Sequence, residues 1–422
     1  MERVLLRINK VDARGVLILV MKQITVVAIG AGSRMNVYAE LHPLEMYIVA
    51  VVDPNATRRN HLAAKCGIPP NACFESWESF LQQEKIADAV FICTPDDMHY
   101  QPTMLALERG YDGFLEKPIA QSLDECMDIV VRARELKRIV GVCHILRYHP
   151  YFRKFREIVA SQKLGELISV NHIEAVGIER MTHAFVRGLW RESKMNPMIL
   201  SKGCHDLDLL VWLSGKKCLE VSSYGSLKWF RSENAPKGST LRCTGGCEVE
   251  KTCPYSALEL YYRQKRWLRH FDIPTGIDAG VAILEELEKG QYGRCVYHCD
   301  NDVVDHQVVS MAMEDDVTIN FSMDTFTKDS GRKTHFMFSE GEVFGDERIL
   351  TVRYFHPSKK DEVYDFSDYY GECNFHGGAD QEIVRDFLKA VRSRHSQDLL
   401  TSIEYSIESH RIAFEIEKSR NK

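Results

Sequence analysis

Between Ile24 and about residue 150 the chain alternates short apolar runs with stretches of helical periodicity. The pattern predicts strands at Ile24–Ile29, Tyr47–Val52, Ala89–Cys93, Gly113–Glu116 and Ile139–His144. Helices are expected near Thr57–Cys66, Trp77–Gln83, Met98–Arg109 and Leu123–Lys137. Strand–helix alternation of this kind builds a parallel, doubly wound sheet with ligands at the carboxyl ends of its strands. Past residue 150 the texture changes to longer strands of alternating polarity: Leu167–Val176, Leu219–Leu227, Val303–Met313, Val317–Phe326, Thr334–Ser339, Leu350–Phe355 and Glu362–Phe366. Such runs predict a large, mostly antiparallel open sheet with one covered face. Helices are expected at Cys204–Leu213, Asp380–Val391 and Ile403–Lys418, and a polar, cysteine-bearing insertion at 231–273. The fold class is therefore α/β: a Rossmann-type domain at 22–147 and a second α/β domain, with the large open sheet, at 148–422.

Composition narrows the partners. A formal charge of -6 over 422 residues offers no basic face for a nucleic acid or an anionic membrane, so a small-molecule ligand is expected. No apolar stretch approaches the roughly 18 residues that span a bilayer. Val16–Val20 is too short for the core of an export signal, and Met21 precedes the point where a first strand begins, so residues 1–21 read as an extension ahead of the fold. Thirteen cysteines without an export signal read as reduced thiols in the cytoplasm.

The candidate chemistry begins where the first apolar run breaks into Gly30-Ala31-Gly32-Ser33-Arg34-Met35, with Asp53 closing the next run twenty-one residues past Gly32. Gly-x-Gly between strand and helix lets backbone N–H groups approach a pyrophosphate, and an acidic residue after the next strand accepts hydrogen bonds from a ribose. The third glycine position is Met35, so the match is incomplete. Asp53 favours NAD because its charge repels a 2′-phosphate; Arg58 and Arg59 leave NADP open.

Three further landmarks follow in order: Thr94-Pro95-x-x-x-His99, Glu116-Lys117-Pro118 and Lys202-Gly203-Cys204-His205-Asp206. With the glycine loop, they resemble the glucose–fructose oxidoreductase, inositol dehydrogenase and rhizopine-catabolism (Gfo/Idh/MocA) family over nearly everything from Lys22 onward. The resemblance implies hydride transfer between NAD(P) and a sugar, polyol or related cyclic carbinol, in a homodimer or homotetramer built on the open sheet. It implies that Lys117 polarises the reacting oxygen, that Pro118 fixes the backbone there as a cis peptide, and that His205 exchanges the hydroxyl proton. Gly30, Gly32, Ser33, Arg34, Asp53, Thr94, Pro95, His99, Glu116, Lys117, Arg147, Trp190 and Arg191 become the expected cofactor side, with Arg147 at the domain junction. His376-Gly377-Gly378-Ala379-Asp380 resembles the family's stretch near the mouth of the site.

Each position also has a plainer reading: Glu116 and Lys117 as a solvated pair, His205 as a satisfied core histidine, His99 as a surface residue, Trp190 as core packing. The chain departs from the family pattern four residues before His205, where Ser201 replaces an aspartate and Lys202 follows. A cation there suits an oxyanion or an enolate-like intermediate, and it keeps a second activity open: redox-neutral glycoside cleavage by transient oxidation and elimination. A third reading is a non-catalytic NAD(H) sensor. Finally, Cys243-x3-Cys247-x5-Cys253, with Cys295 and Cys299 later, offers soft ligands for a structural zinc in which Cys299 completes the set; free thiols or a disulfide are the alternatives.

Overall fold

A computed structural model of the chain describes residues 23–268, 271, 273, 278–369 and 376–421. The expected extension at 1–21 and parts of the insertion lie outside them. Strands β1 (Ile24–Ile29), β2 (Met46–Val52), β3 (Cys73–Phe74), β4 (Ala89–Ile92), β5 (Asp112–Leu115) and β6 (Val140–Val142) form a parallel sheet in the order β3-β2-β1-β4-β5-β6. The order reverses between β1 and β4, which opens a crevice at their carboxyl ends. Helices α1 (Ser33–Tyr38), α2 (Ala56–Cys66), α3 (Trp77–Leu81), α4 (Tyr100–Glu108) and α5 (Leu123–Glu135) follow the strands. Their starts are written locally: the side chains of Asn55, Ser76 and Ser122 accept the N–H groups of Arg58, Ser79 and Glu125.

The second sheet contains β7 (Leu167–Ala175), β8 (Cys218–Ser226), β9 (His306–Met313), β10 (Thr318–Asp324), β11 (Gly331–Phe338), β12 (Gly341–Gly345), β13 (Ile349–Tyr354) and β14 (Glu362–Asp365). Its order is β14-β13-β12-β11-β7-β10-β9-β8, antiparallel except for the β7–β10 pair. One face is covered by α6 (Pro150–Ala160), α7 (Cys204–Ser214) and α10 (Ile403–Arg420): Phe152, Phe155, Leu207, Leu210, Ile412 and Ile416 share a core with Val170, Ile319, Phe321 and Phe336. On the other face Tyr224 of β8, Val308 of β9 and Ile173 of β7 lie along one cross-strand row and are exposed.

Two boundaries shift for a visible reason. The strand expected from Val303 begins at His306, because the buried Asp305 carboxylate turns inward to accept the N–H groups of Lys228 and Trp229 at 2.9 and 2.7 Å. β12 escapes the polarity pattern because it starts and ends in glycine; a Cβ on Gly341 would lie 2.3 Å from the Arg353 carbonyl oxygen, so the neighbouring backbone excludes a side chain.

Helix α9 (Ala379–Ser393) returns to the first sheet. Phe387, fully buried on it, meets Phe91 and Phe114 at ring-centre separations of 5.8 and 5.4 Å. The parallel sheet thus has α1, α2 and α9 on one face and α3, α4 and α5 on the other. Replacing Phe387 with alanine is expected to cost about 3–5 kcal/mol of stability in denaturant unfolding; a loss below 1 kcal/mol would show that the first domain does not need this helix.

Candidate active site

Gly30 holds φ at +91°, and a Cβ there would lie 2.5 Å from the Cys93 carbonyl oxygen. Only glycine fits, and its N–H donates to Val52 O at 2.8 Å. Gly32 differs: a Cβ there would meet nothing within 4 Å, so the space over the loop is open. Asp53 Oδ2 accepts the Ala31 N–H at 2.7 Å and Oδ1 the Asn55 N–H at 2.8 Å, which pins the loop to the end of β2. The exposed Ser33 opens α1, whose first turn has no capping side chain. An open cradle, backbone donors at a helix start and a carboxylate at the rim fit a dinucleotide.

The Arg34 side chain is already committed. Its Nε donates to Glu116 Oε1 at 2.8 Å, and its Nη2 to Tyr38 Oη at 2.6 Å and Asp380 Oδ1 at 2.7 Å. Burial would raise the Glu116 carboxyl, but the adjoining Arg34 guanidinium outweighs it and holds the group below its ordinary range. Asp380, also joined to His376, is held at about 2 on the same balance. This network clamps α1 to the end of β5 and to α9.

Glu116 therefore does not pair with Lys117. The Lys117–Pro118 peptide is cis, and Lys117 Nζ reaches across to the second domain, where it donates to the Ser201 carbonyl at 2.8 Å. At the position where the aspartate is missing, the backbone of Ser201 meets the lysine. His205 stands nearby on α7, partly open to solvent, and its buried Nδ1 has no hydrogen-bond partner among the described residues. Burial first, then the charges of Lys117, Arg332 and Lys202, drive the imidazole well below its usual value, so the ring is neutral near pH 7.

Alternate residues of α7 point to different anchors. Asp206 accepts from Arg332 Nε at 2.6 Å and lies 3.1 Å from His172 Nε2, which ties the helix to β11 and β7. Asp208 takes a bidentate pair from Arg147 at 2.8 and 2.6 Å, while Arg147 Nη1 donates to Leu400 O at 2.9 Å. Arg147 thus lies at the domain junction as a structural clamp. Lys202 is buried against Glu174 of β7, itself 3.0 Å from Arg332. Burial lowers the Lys202 ammonium, and Glu174 occupies it; it is not a free cation for an oxyanion.

The remaining positions are scattered. His99 is buried between Pro118 O at 2.6 Å and Thr94 O at 3.0 Å, bracing the lysine turn from below; Thr94 is half-buried and Pro95 exposed. Trp190 Nε1 donates to Asp96 Oδ2 at 3.0 Å, and Asn196 donates to the same oxygen, a contact between the domains that the sequence did not single out. Arg191 faces away to Asp300, at 2.7 and 3.0 Å. Cys243, Cys247, Cys253 and Cys295 line one cavity; Cys299 is not among its lining residues, and its thiol donates to the Cys295 carbonyl at 3.2 Å. Among the described residues no three His, Cys, Asp or Glu side chains are gathered as one metal ion would hold them.

Behind His205 stand two more buried imidazoles that no motif marked. His144 lies 5.9 Å from His205 and 5.7 Å from His410, centre to centre, and His410 Nε2 accepts the Ile119 N–H at 2.9 Å. Burial depresses all of them, His410 to about 3, and likewise His149 at the start of α6 to about 4. The unfolded chain binds these protons near pH 6.5 and the folded chain only far below, so stability is complete above the unfolded value and is lost as pH falls from 6.5 toward 4. The thermal midpoint is expected to drop by several degrees between pH 7 and pH 5, and to drop less in His410→Gln; a flat profile would contradict neutral burial.

Residues 24–144 match the GFO_IDH_MocA family model, described as an oxidoreductase family with an NAD-binding Rossmann fold. A putative oxidoreductase, YteT, of Bacillus subtilis is 20% identical over 336 residues, 76% of this chain and 77% of its own length. The 1,5-anhydro-D-fructose reductase of Ensifer adhaerens is 28% identical over 163 residues, 39% of this chain and 47%, about half, of that protein. An inositol dehydrogenase homolog of Azotobacter vinelandii, solved with NAD+, shares the fold with a TM-score of 0.68 at 16% identity, covering 94% of this chain and 95% of that one. The glycine loop, the lysine turn and the order of the sheet accord with that match: residues 24–144 carry the NAD-binding Rossmann fold of the Gfo/Idh/MocA oxidoreductase family model.

Proposed function

We propose that the protein is an NAD-dependent dehydrogenase or reductase acting on a hydroxyl or carbonyl carbon of a sugar, polyol or related cyclic carbinol. The observation that carries this reading is the meeting of Lys117 from the first domain with the Ser201–His205 segment of the second, beside an open glycine loop. A nicotinamide nucleotide held there would accept or supply the hydride. The Lys117 ammonium orients the reacting oxygen and stabilises negative charge developing on it. His205, kept neutral, takes the hydroxyl proton during oxidation and returns it during reduction. A 1,5-anhydro-D-fructose reductase and an inositol dehydrogenase homolog among the similar proteins support a carbohydrate-like substrate.

NAD is favoured over NADP. Asp53 sits at the ribose end, and Arg59 is committed to the Asp53 carbonyl at 2.6 Å and to Glu75 at 3.2 Å, so it is not free to receive a 2′-phosphate. Redox-neutral glycoside cleavage loses the feature that favoured it, since Glu174 neutralises Lys202. The exposed row of Tyr224, Val308 and Ile173 supports assembly into a homodimer or homotetramer through the open sheet.

A panel of sugars, polyols and glycosides with NAD+ is expected to yield a substrate that accumulates NADH; release of aglycone without NADH would assign the lyase reading instead. On that substrate Lys117→Ala should lower turnover by about 10²–10³-fold. Unchanged turnover would overturn the lysine's role and favour a sensor. Because His205 is depressed, oxidation should persist below the pH at which an ordinary imidazole loses its basicity, and His205→Asn should remove that acid limb while lowering the rate about 10²-fold or more.

A further inference from the structure

His144 is 1% exposed, and neither of its ring nitrogens has a hydrogen-bond partner among the described residues. An imidazole buried in that way weakens the fold, because each unpaired nitrogen has given up water and received nothing in exchange. Such a group is expected where an ordered water or a function requires it. His205 shows the same feature one ring away. Its Nδ1 is buried and without a hydrogen-bond partner among the described residues, and the two ring centres lie 5.9 Å apart with their planes crossing at 82°.

Which nitrogen of each ring carries the hydrogen follows from the neighbours, since a neutral imidazole donates from one nitrogen and accepts at the other. His205 is partly open to solvent with Nδ1 inside, so Nε2 faces the cleft. To take a proton there, the ring must carry its hydrogen on Nδ1, and that hydrogen needs a buried acceptor. His410 is not available for this: its Nε2 takes the Ile119 N–H at 2.9 Å and its Nδ1 faces Ser406 O at 3.2 Å, so both nitrogens are occupied. His144 meets the requirement. Its Nε2 lies 3.7 Å from Asp208 Oδ1, too far for a full hydrogen bond but close enough for the carboxylate, fixed by Arg147, to draw the N–H to that side. The lone pair then falls on Nδ1. Burial keeps both rings neutral near pH 7, so that lone pair stays available.

We propose that His144 is a positioning residue for the base: its Nδ1 accepts, through one bridging water, from the Nδ1–H of His205, and so holds Nε2 of His205 bare toward the reacting hydroxyl. The separation of the rings exceeds a direct N–H···N contact and suits a water bonded to both. The inference rests on the reading of His205 as the proton acceptor. During oxidation the substrate O–H bond breaks, the proton goes to His205 Nε2 and the hydride to the nicotinamide, while His144 neither gains nor loses a proton. Positive charge on the His205 ring strengthens the bridge. Because Asp208 also takes the fork from Arg147, the clamp at the domain junction sets the tautomer of the base.

Nitrogen-15 NMR of the full chain with labelled histidine reads the tautomers without any substrate, which separates this inference from the function it rests on. Near pH 7, His205, identified by the resonances lost in His205→Asn, should carry its hydrogen on Nδ1; His144, identified through His144→Asn, should carry it on Nε2. In His144→Leu, His205 should become a mixture with the Nε2–H form. On the substrate found above, kcat of that variant should fall about tenfold or more, with KM for NAD+ unchanged and the unfolding midpoint equal or higher. His144→Asn, whose amide oxygen can take the place of Nδ1, should restore most of the rate. A His205 tautomer and a kcat that both ignore His144→Leu would overturn the proposal while leaving the base reading intact, whereas full turnover in His205→Asn would overturn the reading beneath it. If His144→Leu fails to fold, hydrogen found on Nδ1 of His144 in the unaltered chain still overturns the proposal.

Discussion

The buried charges of helix α7 hold the two domains in register. Asp208 reaches back to Arg147 in a two-bond fork, and Asp206 reaches down to Arg332 and His172 on the second sheet. Both aspartates are nearly inaccessible, so each depends on its cation: removing one partner of such a pair typically costs about 3–5 kcal/mol because the other charge is left stranded. His205, next in sequence to Asp206, inherits its position from these two anchors. Lys117 is set from the other side, by a turn that His99 and His410 hold at Pro118 O and Ile119 N.

That frame also sets the electrostatics. Burial first, and then the positive charges of Lys117, Arg332 and Lys202, hold the His205 imidazole neutral. The aspartate that would ordinarily stand four residues earlier would pull the other way, toward a protonated histidine. Substituting Ser201 there lowers the proton affinity of the base. Glu174, from the middle of the second sheet, forms an ion pair with the extra lysine.

Much of the fold was legible because parallel strands and α5-like helices announce themselves through apolar runs and capping residues. The same signal carried the glycine loop, whose backbone demands at Gly30 only glycine meets. α6 was not legible although Tyr151, Phe152, Phe155, Ile158 and Val159 recur at helical spacing after Pro150, because it spans only three turns before the alternating strands begin. α8 (Ala279–Lys289) lies between the insertion and the strand expected from Val303, where the sequence pattern predicted no element. At the site, motifs located Lys117 and His205 but not the residues that position them: Asp96, Glu174, Arg332 and His410 come from four distant parts of the chain, and nothing in their local sequence distinguishes them from ordinary charged positions. Arg34, Arg147 and Lys202 were visible as charges, and only the three-dimensional pairing reveals that each is already spoken for.

The central claim is that one nicotinamide nucleotide lies over the open glycine loop with its ring toward Lys117. Gly32 gives the sharpest test, since its backbone is ordinary and a side chain there would meet no protein atom yet would fill the cradle. Calorimetric titration with NADH should show saturable binding at one site per chain, abolished in Gly32→Val with an unchanged unfolding midpoint. No heat with the unaltered chain, or equal affinity in the valine variant, would contradict it.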